Sequence, residues 1–192
     1  MQKMWTLAKE AYAQVERPWR FILGCALGIV LCLLYPTDLQ GYGTASESDL
    51  AHVSYHNLRF INTAAQVAFP LLLGDKIGMV QLVYVGVSTT LATHGLKRLL
   101  NNSVVWGARL GERPSGINSQ HNMPSGHSSM ASCAAYFVCR RYQWLHALYL
   151  IPILLLTMYS RVELNNHTIT AVIAGALVGF LMAAIFTSHR KV

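Results

Sequence analysis

Two histidines, a set of arginines and a Pro-Ser-Gly turn decide what chemistry this sequence can do. The stretch RPSGINSQHNMPSGHSSM, residues 113 to 130, carries Pro-Ser-Gly twice, and only the second copy is followed by a histidine, His127. Further on, SRVELNNH at 160 to 167 brings Arg161 and, after five more residues, His167. Lys97, Arg109 and Arg113 lie upstream of the histidine-bearing turn. Guanidiniums bind the oxygens of a tetrahedral phosphate dianion in pairs and keep their charge at any relevant pH. A helix starting at Gly126 aims free N–H groups and its positive end at such an anion, and Ser125 adds a hydroxyl donor. A neutral imidazole attacks phosphorus well and leaves well, while an imidazolium at His127 can protonate a departing oxygen.

For these residues to meet, the rest of the chain must bring two loops to one place. With 53% hydrophobic and 12% charged residues, the composition is too apolar for an ordinary soluble domain and predicts a membrane protein. Six spans are expected: 21 to 35, 58 to 73, 77 to 96, 127 to 138, 144 to 159 and 168 to 186. The second is the weakest, with Asn62, Thr63 and Gln66 inside it, and GDKIG at 74 to 78 makes the second and third a tight helical hairpin. The predicted fold class is therefore all-α and polytopic, one membrane-embedded domain over 1–192 with a six-helix core over 19–188. The loop 97–126 and the link 160–167 are separated by two spans, so they share one face of the membrane in either orientation.

Charge placement predicts which face. Lys3, Lys9, Arg17 and Arg20 precede the first span, and Lys76, the pair Arg140 and Arg141, and the pair Arg190 and Lys191 follow the even-numbered ones. By the positive-inside rule that side is cytoplasmic, with both termini, and the site faces the opposite side of the membrane. Lys97, Arg98, Arg109, Arg113 and Arg161 break the rule and need another reason, which anion binding supplies. The net charge of +7 is scattered between apolar runs and does not line one polar face, so nucleic acid is not an expected partner. Met4, Ala8, Ala11, Tyr12 and Val15 recur at helical spacing, which predicts an amphipathic interfacial helix over 1–18. A cleaved signal peptide ending near GYGTAS, at 41 to 46, is the alternative reading of the N-terminal region. Cys25, Cys32, Cys133 and Cys139 all fall in apolar runs, where a thiol packs as a small hydrophobe.

PSGH at 124 to 127, SRVELNNH at 160 to 167 and ERP at 112 to 114 resemble the three signature blocks of the type 2 phosphatidic acid phosphatase superfamily. That family comprises integral-membrane lipid phosphatases with a six-helix core. The resemblance implies that His167 is the nucleophile, forming a phosphohistidine, and that His127 is the acid for the leaving group. Lys97, Arg113, Ser125, the Gly126 amide and Arg161 would bind the phosphoryl oxygens. No cofactor is implied, and the sequence shows no carboxylate cluster suited to magnesium or zinc.

Two departures from the family pattern carry consequences. Trp106 stands where the first block has its lysine, leaving Lys97 and Arg109 as substitutes in a longer spacing that resembles lipid A phosphatases. Ala171 stands where the family has an aspartate one helical turn after the nucleophile, with Glu163 as the nearest replacement carboxylate. Without a carboxylate to orient His167, the sequence predicts a site that binds lipid phosphate but turns it over slowly. The expected substrate is a membrane lipid phosphate, lipid A 1-phosphate before undecaprenyl diphosphate or phosphatidylglycerol phosphate. Transfer of the phosphoryl group to another lipid, or a lipid-phosphate-binding or transport role without cleavage, are the alternatives. His52, His56 and His121 are read as surface or packing residues, His94, His146 and His189 as interface anchors, and the first Pro-Ser-Gly as a turn.

Overall fold

The computed structural model describes residues 2–39, 42–43, 48–116 and 118–190. Lys191, and residues 41 and 44–46 of the possible cleavage stretch, lie outside the described residues. Eight α-helices are found among those residues: α1 (Gln2–Ala13), α2 (Trp19–Leu34), α3 (Asp49–His56), α4 (Ile61–Leu72), α5 (Lys76–Leu100), α6 (Gly126–Arg141), α7 (Ala147–Glu163) and α8 (Ile169–Phe186). Six of them, α2 and α4 to α8, fall on the six predicted segments.

At the centre stands α6, which packs against α4, α5, α7 and α8, while α2 covers α8, α1 lies on α5 and α3 lies on α7. The close approach of α6 and α8 follows from small residues on both helices. A methyl group added at Gly175 would run into the Ser125 backbone, and one at Gly179 into the Ser129 carbonyl and the Ser132 hydroxyl. The polar residues that weakened the second predicted span point inward. Asn62 and Gln66 are buried, and the Asn62 amide donates to the carbonyls of Ala131 (3.1 Å) and Leu150 (3.0 Å), tying α4 to α6 and α7. The predicted hairpin forms as well: Gly74 takes φ 59°, and the Asp75 carboxylate caps α5 by accepting from the Gly78 amide at 2.9 Å.

Several helices differ from expectation in their limits. The first loop contains α3, whose start is capped by Ser48. At its C-terminal end α5 runs on to Leu100 and α7 to Glu163, so Lys97 and Arg161 sit on final helical turns and not in loops. Beyond α5, a two-stranded hairpin pairs β1 (Val104–Val105) with β2 (Ala108–Arg109). The N-terminal helix stops at Ala13, short of the expected 1–18, and its expected apolar face divides. Ala11 and Val15 are buried and the Ala11 carbonyl accepts from Gln81 at 2.8 Å, whereas Met4 and Tyr12 are exposed. Two stretches, Trp144–Glu163 and Ile169–Phe186, have the length and apolarity to cross a membrane, and Trp19–Leu34 is apolar but shorter. All four cysteines are free.

Candidate active site

At the N-terminus of α6, Ser125 is the flanking residue, fully buried, and its backbone N–H donates to the Ala171 carbonyl at 2.8 Å. Ser128 donates to the Ser125 hydroxyl oxygen at 3.1 Å, which leaves the Ser125 proton available to a ligand. Gly126 faces Lys97 and Thr93; a Cβ there would make only ordinary contact with them, so these neighbours do not force a glycine. Lys97 is buried and donates to the His121 carbonyl at 2.7 Å.

His167 is 2% exposed, and its Nδ1 lies 2.7 Å from the backbone carbonyl of Asn122. A carbonyl only accepts, so Nδ1 carries the proton and the Nε2 lone pair of the neutral ring is free. Burial, then the charges of Lys97, Arg161 and Arg113, hold this imidazole well below its usual value, against the opposing Asn122 hydrogen bond. The ring is therefore neutral at neutral pH, the form a nucleophile needs. Asn122 is itself fixed: its amide nitrogen donates to the Thr168 hydroxyl (3.1 Å) and its amide oxygen accepts from the Thr168 backbone (3.0 Å). Thr168 in turn caps α8 through its hydroxyl. The Asn122 carbonyl thus supplies the acceptor that Ala171 cannot. Ala171 lies in an apolar cluster with Leu110, Met123 and Ala174, and Glu163 makes no hydrogen bond to His167.

The cations divide into two groups. Arg161 is buried with Nε and Nη1 unpartnered, and Arg113 likewise has an unpartnered buried Nε. Buried donors left open in this way are costly unless something arrives to accept from them. The first Pro-Ser-Gly is a turn, as expected, closed by the Gly116 N–H on the Arg113 carbonyl at 3.2 Å. A cavity of about 290 Å³ lined by His94, Lys97, Arg98, Arg113 and His121 opens beside this group. Arg109 is engaged elsewhere, donating to the carbonyls of Asn101 (3.4 Å) and Ser119 (2.8 Å) and pairing with Glu112 at 3.6 Å. It holds the hairpin loop together, so Lys97 is the better geometric substitute for the first-block lysine. Trp106 is 85% exposed at the hairpin turn, its indole bonded to the Leu34 carbonyl.

One contributor was not anticipated from the sequence. Arg59 lies between α3 and α4 with Nη1 3.2 Å from His127 Nε2, and its guanidinium sits over the rings of Tyr55 and Phe60. Tyr55 also lies under Arg161, at 4.8 Å. A signal was present: an arginine inside a predicted span is a candidate functional residue by default. Asn122 left no comparable signal, because the group it contributes is a backbone carbonyl. Among the described residues no three His, Cys, Asp or Glu side chains cluster to hold a metal.

Fold and site together define a helical bundle whose one mouth is a cationic pocket holding two imidazoles. Residues 78–191 match the family model of the PAP2 superfamily. Two proteins from different strains of Helicobacter pylori, both described as lipid A 1-phosphatase, are 41% and 45% identical over 170 residues, 88% of this chain and 88% of each relative. A solved structure, that of a transmembrane PAP2 type phosphatidylglycerolphosphate phosphatase from Bacillus subtilis, is similar at 21% identity and a TM-score of 0.48, over 92% of this chain and 79% of that one. The chain belongs to the PAP2 superfamily.

Proposed function

We propose that this lipid phosphatase removes the 1-phosphate of lipid A, the activity its Helicobacter relatives are named for, through a phosphohistidine on His167. The observation that carries the mechanism is the Nδ1 bond of His167 to the Asn122 carbonyl, which leaves Nε2 as a neutral nucleophile among Lys97, Arg113 and Arg161. In the first step Nε2 forms a bond to phosphorus, the bond from phosphorus to the sugar oxygen breaks, and His127 gives its proton to that oxygen. In the second, water attacks phosphorus, His127 takes a proton from it, and phosphate leaves with His167 restored. Arg113, Arg161, Lys97, Ser125 and the Gly126 amide hold the phosphoryl oxygens as charge builds on them. Arginines fill the part a divalent ion plays in many phosphoryl transfers, so turnover is expected to survive EDTA.

The membrane placement belongs to the same proposal. Apolar side chains are exposed along α2 (Leu23, Leu27, Leu31), α5 (Val83, Val87, Leu91) and α7 (Leu148, Leu155), while Asn62, Gln66, Gln81 and Thr93 are buried. A bundle that is polar inside and apolar outside suits six spans in lipid, with α1 at the interface and the site on the periplasmic face of the inner membrane. Purified protein in detergent is to be given lipid A 1-phosphate, undecaprenyl diphosphate and phosphatidylglycerol phosphate, with released phosphate measured. Release from lipid A alone supports the proposal. Preferential release from another lipid moves the substrate, loss of the headgroup phosphate to an acceptor lipid marks a transferase, and binding without release marks a carrier.

A further inference from the structure

The contact between Arg59 and His127 has a consequence for how the acid is armed. A guanidinium only donates, so at 3.2 Å from Nη1 the His127 Nε2 must be an unprotonated acceptor. The nitrogen facing the cations therefore has no proton to give. Arg59 nevertheless keeps a buried Nε with no partner, and among the described residues its guanidinium is held by Tyr55 and Phe60 rather than by a carboxylate. The charges acting on His127 are Arg161, Arg59, Lys97 and Arg113, all of one sign. An arginine with no counter-ion among the described residues, with a donor unspent and one nitrogen on the acid's ring, is placed to trade that ring for an anion.

We infer that Arg59 is a substrate-displaced partner of His127: an arriving phosphate dianion takes the Arg59 guanidinium, freeing Nε2 to accept a proton and become the acid for the leaving group. The step rests on the reading of His127 as that acid. Its balance is simple. The Arg59 hydrogen bond moves from an imidazole nitrogen to a phosphoryl oxygen, one proton from water enters at Nε2, and the same proton later leaves on the departing oxygen. The dianion supplies the drive, because it replaces a neutral acceptor with a doubly charged one and offsets the four surrounding cations. Premature protonation of His127 is thereby avoided. Tyr55 has a second part, since its ring is shared by Arg59 and Arg161 and keeps both guanidiniums within one short segment after the shift.

The test uses the full chain in detergent micelles with ¹⁵N-labelled histidine, read by NMR with and without orthovanadate or inorganic phosphate. The expected result is a His127 Nε2 signal of the unprotonated kind in the free protein and of the protonated kind when the anion is bound. In Arg59→Gln the anion should bind about 10- to 100-fold more weakly, the loss of a charged hydrogen bond, with KM rising by a similar factor; Arg59→Lys should recover most of it. A protonated Nε2 in the free protein, or an unprotonated one in the anion-bound protein, overturns the inference, and so does an Arg59→Gln protein that binds vanadate as well as the parent. Because the anion is inorganic, these readings stand whether or not lipid A proves to be the substrate. Failure of the lipid panel and failure of Arg59 are therefore separate results.

Discussion

His167 shows how far residue identity carries and where it stops. Its proposed role as the nucleophile is what the family resemblance implies, but its tautomer is set by a carbonyl of Asn122, a group every residue has and no sequence pattern marks. A sequence with alanine at 171 therefore predicts a poorly oriented nucleophile, and the structure offers a different orienting group. Ala171 is fully buried against Leu110, Met123 and Ala174, so an aspartate there would be an unpaired polar group in an apolar cluster. Ala171→Asp is expected to leave turnover within about threefold of the parent, or lower it, and to reduce thermal stability by roughly 1–3 kcal/mol. A gain approaching the 10⁴-fold that separates an oriented from a misoriented histidine in the serine-protease triad would show that Asn122 does not orient the ring. The pH dependence follows from the same environment. Since the folded His167 titrates well below about 6.5, the nucleophile stays neutral as pH falls through that value and is lost only lower down. The His167 contribution to the acid limb of single-turnover phosphoenzyme formation should accordingly lie well below the usual imidazole range. A limb centred at 6.5 or above contradicts the buried, cation-flanked ring.

The elements deliver the site by two devices, one legible in the sequence and one not. Long apolar helices announce themselves by composition, and α2, α7 and α8 are where the hydropathy pattern puts them. The eight residues of α3 and the two-residue strands of the hairpin are too short for a period to register, so a region that carries Tyr55 and leads directly into Arg59 reads as plain loop. The contact of α8 with α6 is written in Gly175 and Gly179, whose missing side chains let α8 lie against the Ser125 and Ser129 backbone. The first of these bears on the proposed chemistry more than on stability, because the segment it touches presents the hydroxyl and amide proposed to bind phosphate. In Gly175→Ala the new methyl meets the Ser125 carbonyl, and the Ser125–Gly126 segment must move to admit it. Rate measurements should show at least a tenfold loss of kcat/KM, out of proportion to the change in melting temperature, since misplacement by about 1 Å can cost 10²-fold. Equal activity in parent and variant would show that the turn has slack the packing does not suggest.

At the scale of the whole molecule the two ends of the bundle differ in kind, and that difference bears on the proposed orientation. One end gathers Lys97, Arg113, Arg161 and Arg59 around two histidines, with no carboxylate among the described residues to compensate their charges. The other end holds Lys76, Arg140, Arg141 and Arg190, and there the most buried cation, Arg141, is neutralised by a two-pronged bond to Asp75 at 2.6 and 2.7 Å. Arg141 is thus a structural clamp between α5 and α6, and it should be removed from the count of charges that hold this end in the cytoplasm. The count still favours that orientation, because Lys3, Lys9, Arg17, Arg20, Lys76, Arg140 and Arg190 remain on the same side, while Lys97, Arg113 and Arg161 of the opposing cations belong to the proposed site. Cysteine labelling decides it. Val104 and Gln143 are both exposed, the first on the hairpin at the site end and the second on the turn after α6 at the other. With a membrane-impermeant maleimide on intact spheroplasts, Val104→Cys should react and Gln143→Cys should not until the membrane is permeabilised. The native cysteines, three buried and one partly so, set the background in the parent. The reverse labelling pattern would place the phosphate site in the cytoplasm, where a lipid phosphate of the inner leaflet, and not one displayed to the periplasm, would be the substrate to seek.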